Sequence, residues 1–197
     1  MIRPIHKNKE PVLNQRAVPC VAILDTPELI KENNSLTGAI ATPIQDIKEK
    51  DYSGIPWPPY ILELIQDLKD TAENIADNCL GLASNQIWVP ENYGQPAGDP
   101  PPAVFVMRWP EATKTRQWDW KAFLNPDVKP TGKTLKKVES CLSFPNKEKR
   151  VNRGKNIMFR WQPEEEYIIY TLHLREAQGQ FAQIAQHEFD HLHGKHV

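Results

Sequence analysis

The last fifteen residues of the sequence, Gln183 to Val197, are QIAQHEFDHLHGKHV. His187, Glu188 and His191 form the pattern H-E-x-x-H. Residues i and i+4 stand one above the other on a helix face, so both imidazoles can reach a single metal ion if the segment is helical. Ile184 and Glu188 share that face, which puts the carboxylate beside the ion and turns the face toward a core or a cleft. Flanking residues agree. Gly179 suits a helix opening, apolar Ile184 and Leu192 bracket the pattern, and Gly194 suits the C-cap. A helix from Gly179 to about Leu192 is predicted. The bland alternative is two surface histidines on a polar terminal helix.

Catalytic zinc-type sites usually take three protein ligands and leave one position for water. In one class of H-E-x-x-H proteases the third is the last histidine of H-E-x-x-H-x-x-G-x-x-H. Here Gly194 is in place, but the final position is Val197 and His196 falls one residue short. With the chain ending soon after His191, the third ligand is expected upstream. Cys141, in VESCLSFP, is one candidate, because a thiolate is a strong soft ligand. The opposing reading is an ordinary buried cysteine. Cys79, at the end of a predicted helix, is the rival, and the residues alone leave that choice open.

Working back along the chain, residues 167–174 and 156–161 read as strands around the loop QPEEE, since Ile157, Phe159 and Trp161 alternate. Further strands are predicted at 134–138, 122–125 and 103–107. The charged run KEKRVNRGK (147–155) reads as a solvated turn. Ile61, Leu64, Ile65, Leu68, Ala72, Ile75 and Ala76 recur at three- and four-residue intervals, one stripe of an amphipathic helix. Pro58 and Pro59 suit its start, and Asn78 with Gly81 its end. Residues 1–56 are polar and punctuated by proline, with one short candidate strand at Val21–Leu24. Helix, then antiparallel-looking strands, then helix argues for an α+β fold.

Bulk composition narrows the function classes. A chain of 197 residues with 40% hydrophobic and 25% charged residues fits one globular domain spanning 1–197. Net charge of −1 gives no overall electrostatic footprint for nucleic acid or anionic membrane. No apolar run approaches the roughly 20 residues of a membrane helix. The opening MIRPIHKNKEPVLNQ lacks the apolar core of a secretory signal. Three widely spaced cysteines are no disulfide framework, so a reducing compartment is expected.

Three segments in order, CLGLASNQ (79–86), ESCLS (139–143) and QHEFDH (186–191), resemble the signature motifs of the peptide deformylase family. Those motifs run approximately G-φ-G-φ-A-A-x-Q, E-G-C-L-S and Q-H-E-φ-D-H, with φ apolar. FLNP (123–126), VNR (151–153) and AQGQFAQIAQHEFDHLHG (177–194) are also similar to family sequence around the motifs. The resemblance covers residues 57–194, and the N-terminal region matches only through VAILDTPELI (21–30). It implies antiparallel sheets packed around a central C-terminal helix that carries H-E-x-x-H, with the amphipathic helix second. It implies metal ligands Cys141, His187 and His191, and Glu188 as general acid/base. Gln86 and the backbone N–H of Leu142 would stabilise an oxyanion, and backbone at Leu80, Gly81 and Ser140 would pair with the substrate. Without such context, Gln86 reads as a polar loop residue and Glu188 as a solvated carboxylate.

The implied reaction removes the formyl group from N-formyl-methionine at the start of newly made peptides, releasing formate. Fe(II) is the implied native ion, with Zn, Ni or Co able to replace it. A monomer in the cytoplasm is expected, that of a bacterial host cell if phage-encoded, and weak docking on ribosomal RNA is the lesser reading of the run 147–155. The lack of the C-terminal extension is similar to the short deformylases encoded by phages. Departures from the pattern are Cys79 and Ser140 at usual glycines, Ser84-Asn85 at the usual Ala-Pro pair, and Gln180 and Gln183 at usual apolar positions. Two other readings stand beside this one: an H-E-x-x-H endopeptidase using His196, and a non-catalytic domain with a closed structural metal site. His6, His173, His193 and His196 otherwise read as solvent-facing or locally bonded, and Cys20 as a buried small hydrophobe.

Overall fold

The computed structural model describes residues 1–7, 10–20, 57–75, 79–110, 118–164, 170–174 and 179–196. The predicted amphipathic helix is α1, Pro59–Ile75, whose stripe of Ile61, Leu64, Ile65, Leu68 and Ala72 is buried. Pro59 opens it, where a fixed φ is already helical and the missing N–H costs nothing. The expected end at Asn78 lies outside the described residues, as does the candidate strand Val21–Leu24.

Five strands follow: β1 (Gly81–Ala83), β2 (Val104–Pro110), β3 (Trp118–Cys141), β4 (Phe144–Gln162) and β5 (Tyr170–Leu174). They pair antiparallel in the order β1-β2-β3-β4-β5. Helix α2, Gln180–Leu192, packs against β1, β2, β3 and β4. The fold is α+β, as the order of elements predicted.

Two local expectations need correction. The predicted strands 122–125 and 134–138 are parts of one strand, β3. Pro126, Pro130 and Gly132 interrupt the period-two pattern in the sequence. In the sheet, register shifts between Leu124 and Asp127 and between Thr131 and Thr134 absorb them. Asn125 and Gly132 take positive φ there (46° and 72°), so the ladder bends and continues. The charged run 147–155 is strand, not turn, and pairs with residues 134–140 of β3. Its period was silent because both faces are wet over most of its length. Within this run only Arg153 and Gly154 are buried.

Strand β2 carries the core on both faces, so its run VFVM alternates between two clusters. Val104 and Val106 join Leu64, Leu68, Leu82 and Leu124 under α1. Phe105 and Met107 join Phe123, Ile157, Phe159, Ala182 and Ala185 under α2. Ring centroids of Phe105, Phe123 and Phe159 lie 5.1–6.0 Å apart, and removing one such ring costs about 3–5 kcal/mol. This double-sided burial lets one thin sheet hold both helices. Among the described residues, no helix is long and apolar enough to cross a membrane.

The N-terminal region is less superficial than its composition suggested. A 3-10 turn at Pro11–Asn14 sinks Leu13 completely, and the Ala17 N–H donates to the Leu192 carbonyl at 2.8 Å. That segment therefore lies against the end of α2.

Candidate active site

Helix α2 is fixed on the sheet by a side chain inside its own motif. The Gln186 amide accepts from the Gly154 N–H at 2.8 Å and donates to the Gly154 carbonyl at 3.1 Å. Gly154 is a glycine because of the neighbouring strand, since a Cβ there would fall 2.7 Å from that of Pro130. With Gln186 turned onto β4, its neighbours His187 and Glu188 and, a turn later, His191 face the end of β3.

At that end Cys141 is the last residue of β3 and is buried. Ligand atoms of Cys141, His187 and His191 all lie within 4.8 Å of one another, a spacing that could hold one metal ion. His191 Nε2 lies 3.2 Å from Cys141 Sγ. His187 Nδ1 lies 3.0 Å from Glu139 Oε2, which directs its other nitrogen to the site. One thiolate and two imidazoles suit a borderline divalent cation and leave a coordination position open. Cys79, the rival ligand, is not part of this group. Its thiol donates to the Gly81 carbonyl at 3.3 Å, and burial together with the nearby Glu188 charge pushes it up to about 12.

Glu139 has a larger role than the sequence assigned it. Arg153 donates to both its oxygens, at 2.8 and 2.7 Å, and to Asp190 Oδ2 at 2.5 Å. Burial opposes ionisation, but the bonds from Arg153 and His187 prevail and hold Glu139 down at about 2. Burial opposes charging of His187 too, yet Cys141 and Glu139 raise it to about 10. Arg153, Asp190 and Gln186 stood inside quoted motifs, but their mutual distances depend on strand register and helix docking. No periodicity reports those.

Glu188, next in the chain to His187, is 4% exposed, and its buried Oε2 has no hydrogen-bond partner among the described residues. Burial pushes it up to about 7. It lies against Gly81 on β1: a Cβ there would fall 2.7 Å from Glu188 Oε1 and 2.8 Å from its Cγ. Gly81 is therefore a glycine for reasons of space, having no positive φ.

Gln86 ends the short 3-10 turn after β1 and is buried. Its Oε1 accepts from the Ala83 N–H at 2.9 Å, and its Nε2 lies 3.2 Å from Ser143 Oγ and 3.9 Å from Cys141 Sγ. Leu142 occupies the turn between β3 and β4, its carbonyl accepting from Lys7 Nζ. Leu80 and Ser140 are exposed, Leu80 beside the open edge of β1 and Ser140 next to Cys141 at the end of β3. The remaining histidines divide as follows. His6 bonds Glu10 and the Trp88 carbonyl, His193 bonds the Phe189 carbonyl, and the His173 side chain lies outside the described residues. His196 bonds Asn14 Oδ1 at 3.0 Å and is not part of the three-ligand group.

A ligand trio that could hold a metal, with a buried carboxylate of raised pKa beside it on an α+β frame, defines the class: a metal-dependent hydrolase. A model of the polypeptide deformylase family matches residues 38–197. The chain belongs to that family. The peptide deformylase of Christiangramia forsetii is 31% identical over 148 residues, covering 74% of this chain and 68% of its own. That of Zymomonas mobilis is 26% identical over 161 residues, covering 81% and 82%. The fold matches a class I type b peptide deformylase from Acinetobacter baumannii with TM-score 0.64 and 18% identity, over 100% of this chain and 96% of the other. It also matches the deformylase of the Vibrio parahaemolyticus bacteriophage VP16T, solved with actinonin, with TM-score 0.61 and 20% identity over 98% and 99%.

Proposed function

We propose that this chain hydrolyses the formyl group from the N-terminus of newly made peptides, with Cys141, His187 and His191 holding one divalent ion, natively Fe(II). The observation that carries the reading is the convergence of those three ligands with Glu188 buried alongside. Family membership supplies the substrate class. Such an ion polarises a carbonyl and lowers the pKa of water toward about 7. Zn, Ni or Co would suit the same donors.

The protein's own groups then divide the work. Glu188 takes a proton from the attacking water and delivers it to the departing amine. Its pKa near 7 suits a group that must both accept and donate at neutral pH. The Gln86 amide is held by Ala83 and aimed toward Cys141 and Ser143, so its N–H groups meet the developing oxyanion already oriented. The Leu142 N–H, next in chain to Cys141, is the second donor. One such donor is worth about 2.7–4 kcal/mol of barrier. The peptide lies along the free edge of β1, pairing with backbone at Leu80 and Gly81 on one side and Ser140 on the other, as an added strand. Residues 1–197 act as one catalytic domain, a monomer in the cytoplasm of a bacterial cell, meeting its substrates as they leave the ribosome.

The test is formate release from formyl-Met-Ala-Ser by protein prepared without oxygen and loaded with Fe(II) or Ni. Turnover that is lost on chelation and restored by the ion is expected. No turnover in metal-loaded, folded protein would refute the assignment.

A further inference from the structure

Among the described residues, four buried side-chain atoms have no hydrogen-bond partner: Glu188 Oε2, Asn85 Oδ1, His191 Nδ1 and His196 Nδ1. The first faces the reaction. The other three belong to His191 and to two residues that each touch it. Asn85 Nδ2 donates to the His191 carbonyl at 2.5 Å, and the rings of His191 and His196 lie 5.8 Å apart. Native proteins rarely leave such atoms unpaired, so three in one neighbourhood call for a common explanation.

Their hydrogen-bonding roles are set by their other contacts. The Asn85 amide points its NH2 at two carbonyls, those of His191 and Leu13, so Oδ1 is left as an acceptor. His191 turns Nε2 toward Cys141, so its ring proton belongs on Nδ1, a donor. His196 gives its Nε2–H to Asn14 Oδ1, so its Nδ1 is bare, an acceptor. One donor and two acceptors match a single water, which accepts once and donates twice. Buried waters typically make about three such bonds to groups otherwise unsatisfied.

The tail that carries His196 is built to stay in place. Gly194 takes φ +66°, where a Cβ would fall 2.5 Å from the Asn14 carbonyl oxygen. The Gly194 N–H returns to the His191 carbonyl and that of Lys195 to the Asp190 carbonyl, both at 2.9 Å. Lys149 Nζ donates to the His196 carbonyl at 3.2 Å, and the Phe144 ring packs 4.9 Å from the imidazole.

We propose that Asn85, His191 and His196 enclose one internal water, and that Asn85 and His196 are positioning residues fixing the tautomer and ring orientation of His191 for the metal. The inference rests on the reading of Cys141, His187 and His191 as the metal site. His187 is oriented by a carboxylate, Glu139, and His191 by a neutral pair acting across water. Asn85 is one of the two residues replacing the Ala-Pro pair usual in the family, so this arm belongs to the present chain rather than to the shared motif.

The experiment is Co(II) affinity by chelator competition, with the visible spectrum of the Co(II) protein, on four full-length proteins: wild type, His196→Leu, His196→Gln and Lys149→Ala. His196→Leu is expected to weaken Co(II) binding about 10–100-fold and to shift the spectrum. His196→Gln, which keeps an acceptor, restores most of the affinity, and Lys149→Ala, which loosens the tail alone, binds as wild type. Wild-type affinity in His196→Leu would overturn the proposal. So would equal losses in the Leu and Gln variants, or a loss in Lys149→Ala matching that of His196→Leu. Should His196→Leu fail to fold, a high-resolution crystal structure of the wild-type holoprotein decides: one water touching all three atoms supports the proposal, and separate partners refute it. Wild-type protein that binds no Co(II) at all would instead refute the metal-site reading beneath it.

Discussion

Glu139→Gln is the substitution that most directly probes how the site is assembled. The side chain keeps its size but exchanges a charged acceptor for an amide that must also donate. In the wild type both Glu139 oxygens accept from Arg153, and one also faces His187 Nδ1. The amide NH2 of glutamine would face those donors, and Arg153, 6% exposed, would keep Asp190 as its only acidic partner in this network. Removing one partner of a buried pair costs about 3–5 kcal/mol. For a chain of this size each kcal/mol moves Tm by about 2–4 °C, so a fall of roughly 6–20 °C is expected. The melt is read in excess chelator, so that lost metal does not enter. A second signature is acid dependence. The native pKa of Glu139 lies below its ordinary value of 4.5, at about 2, so its contribution is complete above pH 4.5 and disappears as pH falls toward 2. That part of the acid denaturation curve should be missing from the variant. Metal affinity should also fall about 10–100-fold, because His187 loses its orienting partner. A Tm within 2 °C of wild type, together with unchanged acid dependence, would refute the network as described.

Gly81→Ala places a methyl 2.7 Å from Glu188 Oε1. Formate release should fall at least about tenfold through displacement of the carboxylate, while metal content measured by atomic absorption stays at the wild-type value. Glu188→Gln removes the proposed proton acceptor and should slow turnover about 10²–10⁴-fold, again with the metal retained. A metal-free Glu188→Gln protein would assign Glu188 to ligation instead. In the metal-free protein His187 is held protonated up to about pH 10 by its contacts with Cys141 and Glu139. Metal uptake must displace that proton, so apparent affinity should rise about tenfold or more per pH unit between pH 6 and 8. A pH-independent affinity in chelator titrations would contradict this.

The parts legible in the sequence are those that repeat at short range. The stripe of α1, the alternation Ile157-Phe159-Trp161 and the i, i+4 histidines each report themselves within a few residues. The long β3–β4 pairing was illegible for a definable reason. Its outer half is wet on both faces, so charge and proline there look like loop, and only hydrogen bonding to a partner strand keeps it extended. The same limit applied to the site. The surroundings of Cys141 and of its rival Cys79 in the sequence left the choice open apart from the family resemblance, and in the tertiary structure one thiol turns to the histidines and the other to the Gly81 carbonyl. His196, which resembled an imperfect third ligand, stands instead behind His191.

Local sequence carries the available chemistry: one helix with two imidazoles and a carboxylate on a common face, and three ordered motifs that resemble those of peptide deformylases. Those properties depend on helical period and residue type, which are local. What only the tertiary structure decides is how the groups are poised. Glu188 gains its raised pKa from burial against Gly81, His187 its orientation from a carboxylate held by Arg153, and His191 its surroundings from Asn85 and the returning tail. Glu188 with Gly81, His187 with Glu139 and His191 with Asn85 are pairs at least 48 positions apart. Burial and hydrogen-bond direction are properties of assembled surfaces, and no stretch of chain carries them alone.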